Sequence, residues 1–89
     1  MKFTLYVKSG CPWCTEAVGF LRDEGYAFEE IDVLRNPDDF KAMVEVSGQS
    51  LAPTLVADDL VLPDFGVPEL EAFLEKHQIT PDMVRSESD

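Results

Sequence analysis

Apolar and polar residues alternate at the start of the chain. Phe3, Leu5 and Val7 are interleaved with Thr4 and Tyr6, and Lys8 follows. A repeat of two marks a half-buried strand. Ser9-Gly10 breaks it and the period changes. Cys14, Ala17, Val18 and Leu21 recur at helical spacing, one apolar stripe on a helix over residues 12–24. Gly25 follows as its terminator. Alternation returns over 27–33, where Ala27, Ile31 and Val33 share a side with one acid, Glu29. Asn36-Pro37-Asp38-Asp39 then reads as a helix start: a capping side chain, a proline at the first position and two acids against the positive end of the dipole. Phe40, Met43, Val44 and Ser47 line its inner face, and Gly48 closes it. Leu51-Ala52-Pro53 leads into a strand over 54–57. Asp58-Asp59 turns the chain into a short returning strand over 60–62. Gly66-Val67-Pro68-Glu69 opens a last helix with Leu70, Phe73, Leu74 and His77 on one stripe.

The order is β-α-β-α-β-β-α. A strand–helix–strand unit makes the first two strands parallel neighbours, and a two-residue link makes the last two antiparallel. The expected fold class is α/β, one mixed four-stranded sheet flanked by three helices. One domain covers residues 1–79. After Thr80 the chain turns polar and acidic, and residues 80–89 are expected to be a disordered tail.

Composition narrows the function. The chain has 89 residues, 18 acidic against 7 basic, and a formal net charge of -11. Nucleic acids and anionic membranes need a basic face, so both are excluded as partners. No apolar run approaches the ~20 residues that cross a bilayer, and the N-terminus lacks the apolar core of a secretory signal. A soluble, cytoplasmic protein is expected. Its charge is uneven: residues 1–57 carry a net -4 and residues 58–89 a net -7. A basic protein partner would be attracted, while anions are steered away.

The candidate chemistry lies in Cys11-Pro12-Trp13-Cys14, which follows a strand and opens a helix. That context raises a Cys-x-x-Cys pair to a redox motif. Cys11 falls at the N-cap, where unpaired backbone N–H groups and the helix dipole favour a thiolate over a thiol. Pro12 suits the first helical position. Cys14 lies one turn on, within bridging reach and on the apolar stripe, so it is the more buried of the two. These positions assign roles. Cys11 attacks a substrate disulfide, and Cys14 then attacks Cys11 to release the reduced substrate. Lys8 adds positive charge nearby or binds a substrate carboxylate, and Trp13 is a substrate contact. Glu16 is expected in the first helical turn, opposing the thiolate. Two cysteines supply only half of a tetrahedral zinc set, and His77 is far away in the chain, so no metal is expected. His77 has a packing or capping role at the end of the last helix.

The run Tyr6-Val7-Lys8-Ser9-Gly10-Cys11-Pro12-Trp13-Cys14, with Ile31-Asp32-Val33 and then Gly48 and Ala52-Pro53-Thr54, resembles the glutaredoxin family over residues 1–78. The resemblance implies a thioredoxin-like fold with sheet order 2-1-3-4 and an antiparallel fourth strand. It implies a cis peptide bond before Pro53, facing the cysteines. Leu51 and Ala52 stand where the family usually has Thr-Val, and Ala52 would offer its backbone to the cysteine of glutathione. Pro63-Asp64-Phe65-Gly66 stands where the family usually has two glycines, a small residue and an acid. Asp64 and Phe65 would there approach the γ-glutamyl end of glutathione.

The expectation is therefore a glutaredoxin-type enzyme, a monomer that uses glutathione as co-substrate to reduce protein disulfides or glutathione mixed disulfides. Two alternatives stand beside it. One is a redoxin recycled by thioredoxin reductase as an electron donor. The other is a carrier of a [2Fe–2S] cluster held between two chains by Cys11 and glutathione.

Overall fold

A computed structural model describes residues 1–84. Four strands form one sheet: β1 (Phe3–Val7), β2 (Glu29–Asp32), β3 (Thr54–Ala57) and β4 (Leu60–Pro63), in the order β2-β1-β3-β4. β1 runs parallel to β2 and antiparallel to β3, and β4 runs antiparallel to β3. Three helices complete the fold: α1 (Pro12–Asp23), α2 (Pro37–Ser47) and α3 (Val67–Lys76). This is the thioredoxin-like topology that the family resemblance implied.

The alternation in β1 divides the molecule. Phe3, Leu5 and Val7 are buried and join Cys14, Ala17 and Leu21 of α1, Leu70 and Leu74 of α3, and Leu55 and Ala57 of β3 in one core. Lys8, which alternates with them, turns to the other side, where its ammonium lies 5.4 Å from the ring centre of Phe40 on α2. Each fully buried large side chain in such a core contributes about 1.5–3 kcal/mol.

β2 is shorter than the expected 27–33. It is an edge strand, and Glu29 explains the broken alternation: its carboxylate is exposed and pairs with Lys2 at 3.6 Å. Val33 still extends the ladder by donating to the Val7 carbonyl at 2.9 Å. At the other edge Pro63 ends β4, where a missing N–H costs no ladder bond. Asp58 turns the hairpin at φ 55°, and its Oδ1 accepts from the Lys2 N–H at 2.9 Å. Asn36 caps α2 by accepting from the Asp38 N–H. Gly48 ends it at φ 72°, a left-handed conformation that glycine adopts without steric cost. His77 ends α3 and packs edge-on against Phe73.

The tail departs from expectation over residues 80–84. Pro81–Met83 forms a 3-10 turn, and Val84, 4% exposed, joins the core. The Tyr26 hydroxyl donates to the Ile79 carbonyl at 3.1 Å and pins the same segment. The acidic composition after Thr80 hid Val84, which with Ile79, the last residue of the expected domain, brackets one short turn. Residues 85–89, the rest of the expected tail, lie outside the described residues.

Candidate active site

The site is built on the end of β1. From Lys8 the chain passes through Ser9 and Gly10 into the cap of α1. Gly10 makes that corner at φ 82°, left-handed again and best suited to glycine. The Ser9 hydroxyl donates to the Asp32 carboxylate at the end of β2. That hydrogen bond, with the Leu34 N–H, holds the Asp32 carboxyl below its usual range.

Cys11 is the N-cap of α1, and its Sγ accepts from the Cys14 N–H at 3.2 Å. The Thr15 N–H donates to the Cys11 carbonyl at 3.1 Å, so the helix begins beside the sulfur. Cys11 is partly exposed and Cys14 is buried. Burial first, and a hydrogen bond with Cys11 second, push the Cys14 thiol up to about 12. The two cysteines are thus unequal: one at the surface on a helix dipole, one held neutral beneath it. No acid lies in the first turn of α1. Glu16, expected there, falls one turn later and is exposed.

The second wall is the loop before β3. The Ala52–Pro53 peptide bond is cis. The Ala52 carbonyl oxygen lies 4.0 Å from Cys11 Sγ. Pro53 is buried beneath it, whereas Leu51 remains 51% exposed. Lys8 braces this loop by donating from Nζ to the Ser50 carbonyl at 2.8 Å. Its ammonium therefore serves the scaffold as well as the local field.

The third wall is the start of α3. Trp13, 54% exposed, lies next to Gly66: a Cβ added there would stand 3.7 Å from the indole. The Gly66 N–H donates to Glu69 Oε1 at 2.8 Å, so a carboxylate from the chain itself caps this helix. Asp64 is exposed at φ 47°. Phe65, expected beside the γ-glutamyl end of glutathione, has its backbone to offer there but not its side chain. Its side chain is 1% exposed and sits in the core, because the left-handed turn at Asp64 points the next residue inward.

The structure thus brings Lys8, Cys11, Pro12, Trp13, Cys14, Leu51, Ala52 and Pro53 to one edge, sets Asp64 and Phe65 just before α3, and turns the Phe65 side chain into the core. Sequence reasoning missed Gln49, Thr54 and the reach of Glu69. Glu69 could have been found as the acid three residues after a cap. Thr54, 0% exposed, stands out only once its burial is known.

The topology and a Cys-x-x-Cys pair at the first helix start define a thioredoxin-fold protein with the layout of a redox centre. The sequence model of the glutaredoxin family matches residues 3–62. The chain belongs to the glutaredoxin family. It is 25% identical over 72 residues to an uncharacterized glutaredoxin-like 8.6 kDa protein in the rubredoxin operon of Clostridium pasteurianum, covering 81% of this chain and 96% of that one. Among solved structures it resembles the thioredoxin-like protein BC3987, with TM-score 0.75, 27% identity and coverage of 82% and 100%. It also resembles the glutaredoxin-like NrdH-redoxin of Escherichia coli, with TM-score 0.69, 26% identity and coverage of 81% and 93%. That structure is described as the basis of a thioredoxin-like activity profile.

Proposed function

We propose that this protein is a thiol–disulfide oxidoreductase that reduces protein disulfides or glutathione mixed disulfides through Cys11 and Cys14. One observation carries the reading: an accessible sulfur that accepts a helix N-terminal N–H, with a second, buried thiol one turn away. The Cys11 thiolate attacks one sulfur of the substrate. A Cys11–substrate disulfide forms, and the other substrate sulfur leaves as a thiolate that takes up a proton. Cys14 then loses its proton and attacks Cys11 Sγ. The Cys11–Cys14 bridge forms and the second substrate sulfur departs. Two electrons have passed from the protein to the substrate. The proposed setting is the cytoplasm, and the proposed working form is a monomer.

Two electron sources can return the dithiol. Family membership supports glutathione, with Ala52 and Leu51 receiving it beside Cys11. A second reading, recycling by thioredoxin reductase, is favoured by the start of α3. Glu69 occupies the Gly66 N–H with a negative charge, and Asp64 adds a second nearby in sequence. Anionic glutathione meets carboxylates there. The likeness to a redoxin with a thioredoxin-like activity profile points the same way. Paired turnover assays decide between them. A protein disulfide is reduced with NADPH and either glutathione plus glutathione reductase, or thioredoxin reductase alone. Turnover only in the first arm removes the second reading. Turnover in neither arm, with no oxidation of the reduced protein by any disulfide, removes the oxidoreductase proposal itself.

A further inference from the structure

The loop facing Cys11 is held by a side chain that mimics a strand. Gln49 Oε1 accepts from the Leu51 N–H at 2.6 Å, and Gln49 Nε2 donates to the Leu51 carbonyl at 3.2 Å. The carboxamide therefore pairs with Leu51 in both directions, as a neighbouring strand would. Nε2 also lies 2.9 Å from Ser47 Oγ and 3.0 Å from Thr54 Oγ1, so its two hydrogens are shared among three acceptors, the Leu51 carbonyl being the most distant. Thr54 Oγ1 in turn donates to the Leu51 carbonyl at 2.8 Å. Ser47 Oγ donates to the Met43 carbonyl, which ties the network to α2.

The consequence for Ala52 follows from the hydrogen-bond inventory of the loop. The Ser50 carbonyl is taken by Lys8. Both backbone groups of Leu51 are taken by Gln49, and Thr54 shares its carbonyl. Pro53 has no N–H. Among the described residues the Ala52 carbonyl meets only the sulfur of Cys11, which donates to it over 4.0 Å. An extended chain bringing a disulfide to Cys11 is thereby offered one residue on which to register.

We propose that Gln49 is a positioning residue that, by engaging both backbone groups of Leu51, sets the Ala52 backbone edge against Cys11 and so favours disulfides carried on a peptide backbone. This rests on the dithiol reading above and goes beyond it by naming what orients the substrate. Gln49 touches no reacting atom, so its effect is one of substrate choice.

The test uses single-turnover oxidation of the reduced protein, followed by the fluorescence of Trp13, which makes it independent of the electron source. Two oxidants are compared: a peptide with an internal disulfide, and bis(2-hydroxyethyl) disulfide, which has no amide. Gln49→Glu keeps the shape of the side chain and turns the donor into an acceptor. At pH 7.5 the ratio of the two rate constants, peptide over small disulfide, should fall about tenfold, the upper end of what one lost hydrogen bond costs. As pH falls towards 5 the introduced carboxyl takes up a proton and regains a donor. The ratio should then recover relative to the native protein. Gln49→Ala should lose the ratio without recovery. An unchanged ratio in both variants overturns the proposal. So does an equal loss with both oxidants that tracks a lowered thermal midpoint, because that is the behaviour of a purely structural residue. If the unaltered protein is oxidised by neither disulfide, the dithiol reading fails first and this one with it.

Discussion

The starts of α1 and α2 share a plan. Each has a capping side chain followed by proline, Cys11-Pro12 and Asn36-Pro37, and each cap accepts a backbone N–H from the first turn. They differ in what surrounds the cap. Asp38 and Asp39 stand in the first turn of α2, whereas no acid stands in the first turn of α1. In a chain with 18 acidic residues, the one helix start built around sulfur is kept clear of them. α3 follows α2, with Glu69 folded back onto the Gly66 N–H. The dipoles of α2 and α3 are thus satisfied by fixed carboxylates and stabilise the fold. Under the proposed function, the dipole of α1 is left for the sulfur of Cys11.

The largest effect that separates these starts comes from Cys11→Ser. A hydroxyl is as good a helix cap as any, so the thermal midpoint should stay close to that of the native protein while disulfide exchange is abolished. Stopped-flow oxidation and a thermal melt on the same sample check both halves. Residual exchange through Cys14 would contradict the roles assigned to the pair. In Cys14→Ser the first step should survive, and the reaction with a protein disulfide should stall as a mixed disulfide visible by mass spectrometry.

The next effect is pH-dependent. With Cys14 pushed up to about 12, the folded, reduced protein keeps a proton that the unfolded chain releases near the ordinary thiol range of about 8.5. Above that value the unfolded state binds fewer protons, so stability falls as pH rises from about 9 towards 12. Burial raises Tyr6 and Tyr26 as well, and they act in the same direction. Urea unfolding under reducing conditions should therefore show a steeper loss of midpoint between pH 7 and pH 10 in the native protein than in Cys14→Ala. Equal slopes would place the Cys14 proton elsewhere.

The α1 start was legible in the sequence because everything that makes it is local. The period changes from two to 3.6, a proline sits at the first helical position, and the cap and its amide donor are three residues apart. The same locality made Asn36, Gly48 and the hairpin at Asp58 readable. What escaped is set by contacts across the chain. Lys8 meets Ser50 across 42 positions, and Cys11 meets Ala52 across 41, a pair that only the family resemblance indicated. No periodicity encodes such a distance. The inward direction of the Phe65 side chain was not legible because it depends on one left-handed residue, Asp64, where an aspartate gives no firm signal. Gln49 escaped because a polar side chain in a polar loop looks like any other until its partners are known.

On α2 the prediction is one of stability. Asn36→Ala removes the acceptor of the Asp38 N–H and should cost about 1 kcal/mol. In a domain of this size that is a fall of about 4–8 °C in the thermal midpoint. The rate at which Cys11 reacts with iodoacetamide should not change. A matching loss of reactivity would mean that the two helix starts are coupled through the sheet rather than independent.

The smallest effect is the sharpest test of the comparison, because it makes α1 look like α2. Pro12 is exposed at the first helical position, so Pro12→Asp brings to α1 the kind of charge that α2 already has. A carboxylate there competes with the sulfur for the same N–H groups and repels its charge. Pro12→Asn is the control, since it removes the ring without adding charge. Iodoacetamide is neutral and needs no substrate pocket, so its rate reports the reactive sulfur alone. At pH 7 and low salt, Pro12→Asp should react about two- to fivefold more slowly than Pro12→Asn, the range of a single charge at a helix end. The difference should shrink in 1 M salt, where exposed charges are screened within about 3 Å. If the two variants react alike at low salt, the absence of acids from the first turn of α1 has no electrostatic consequence, and the contrast between the two helix starts is one of composition only.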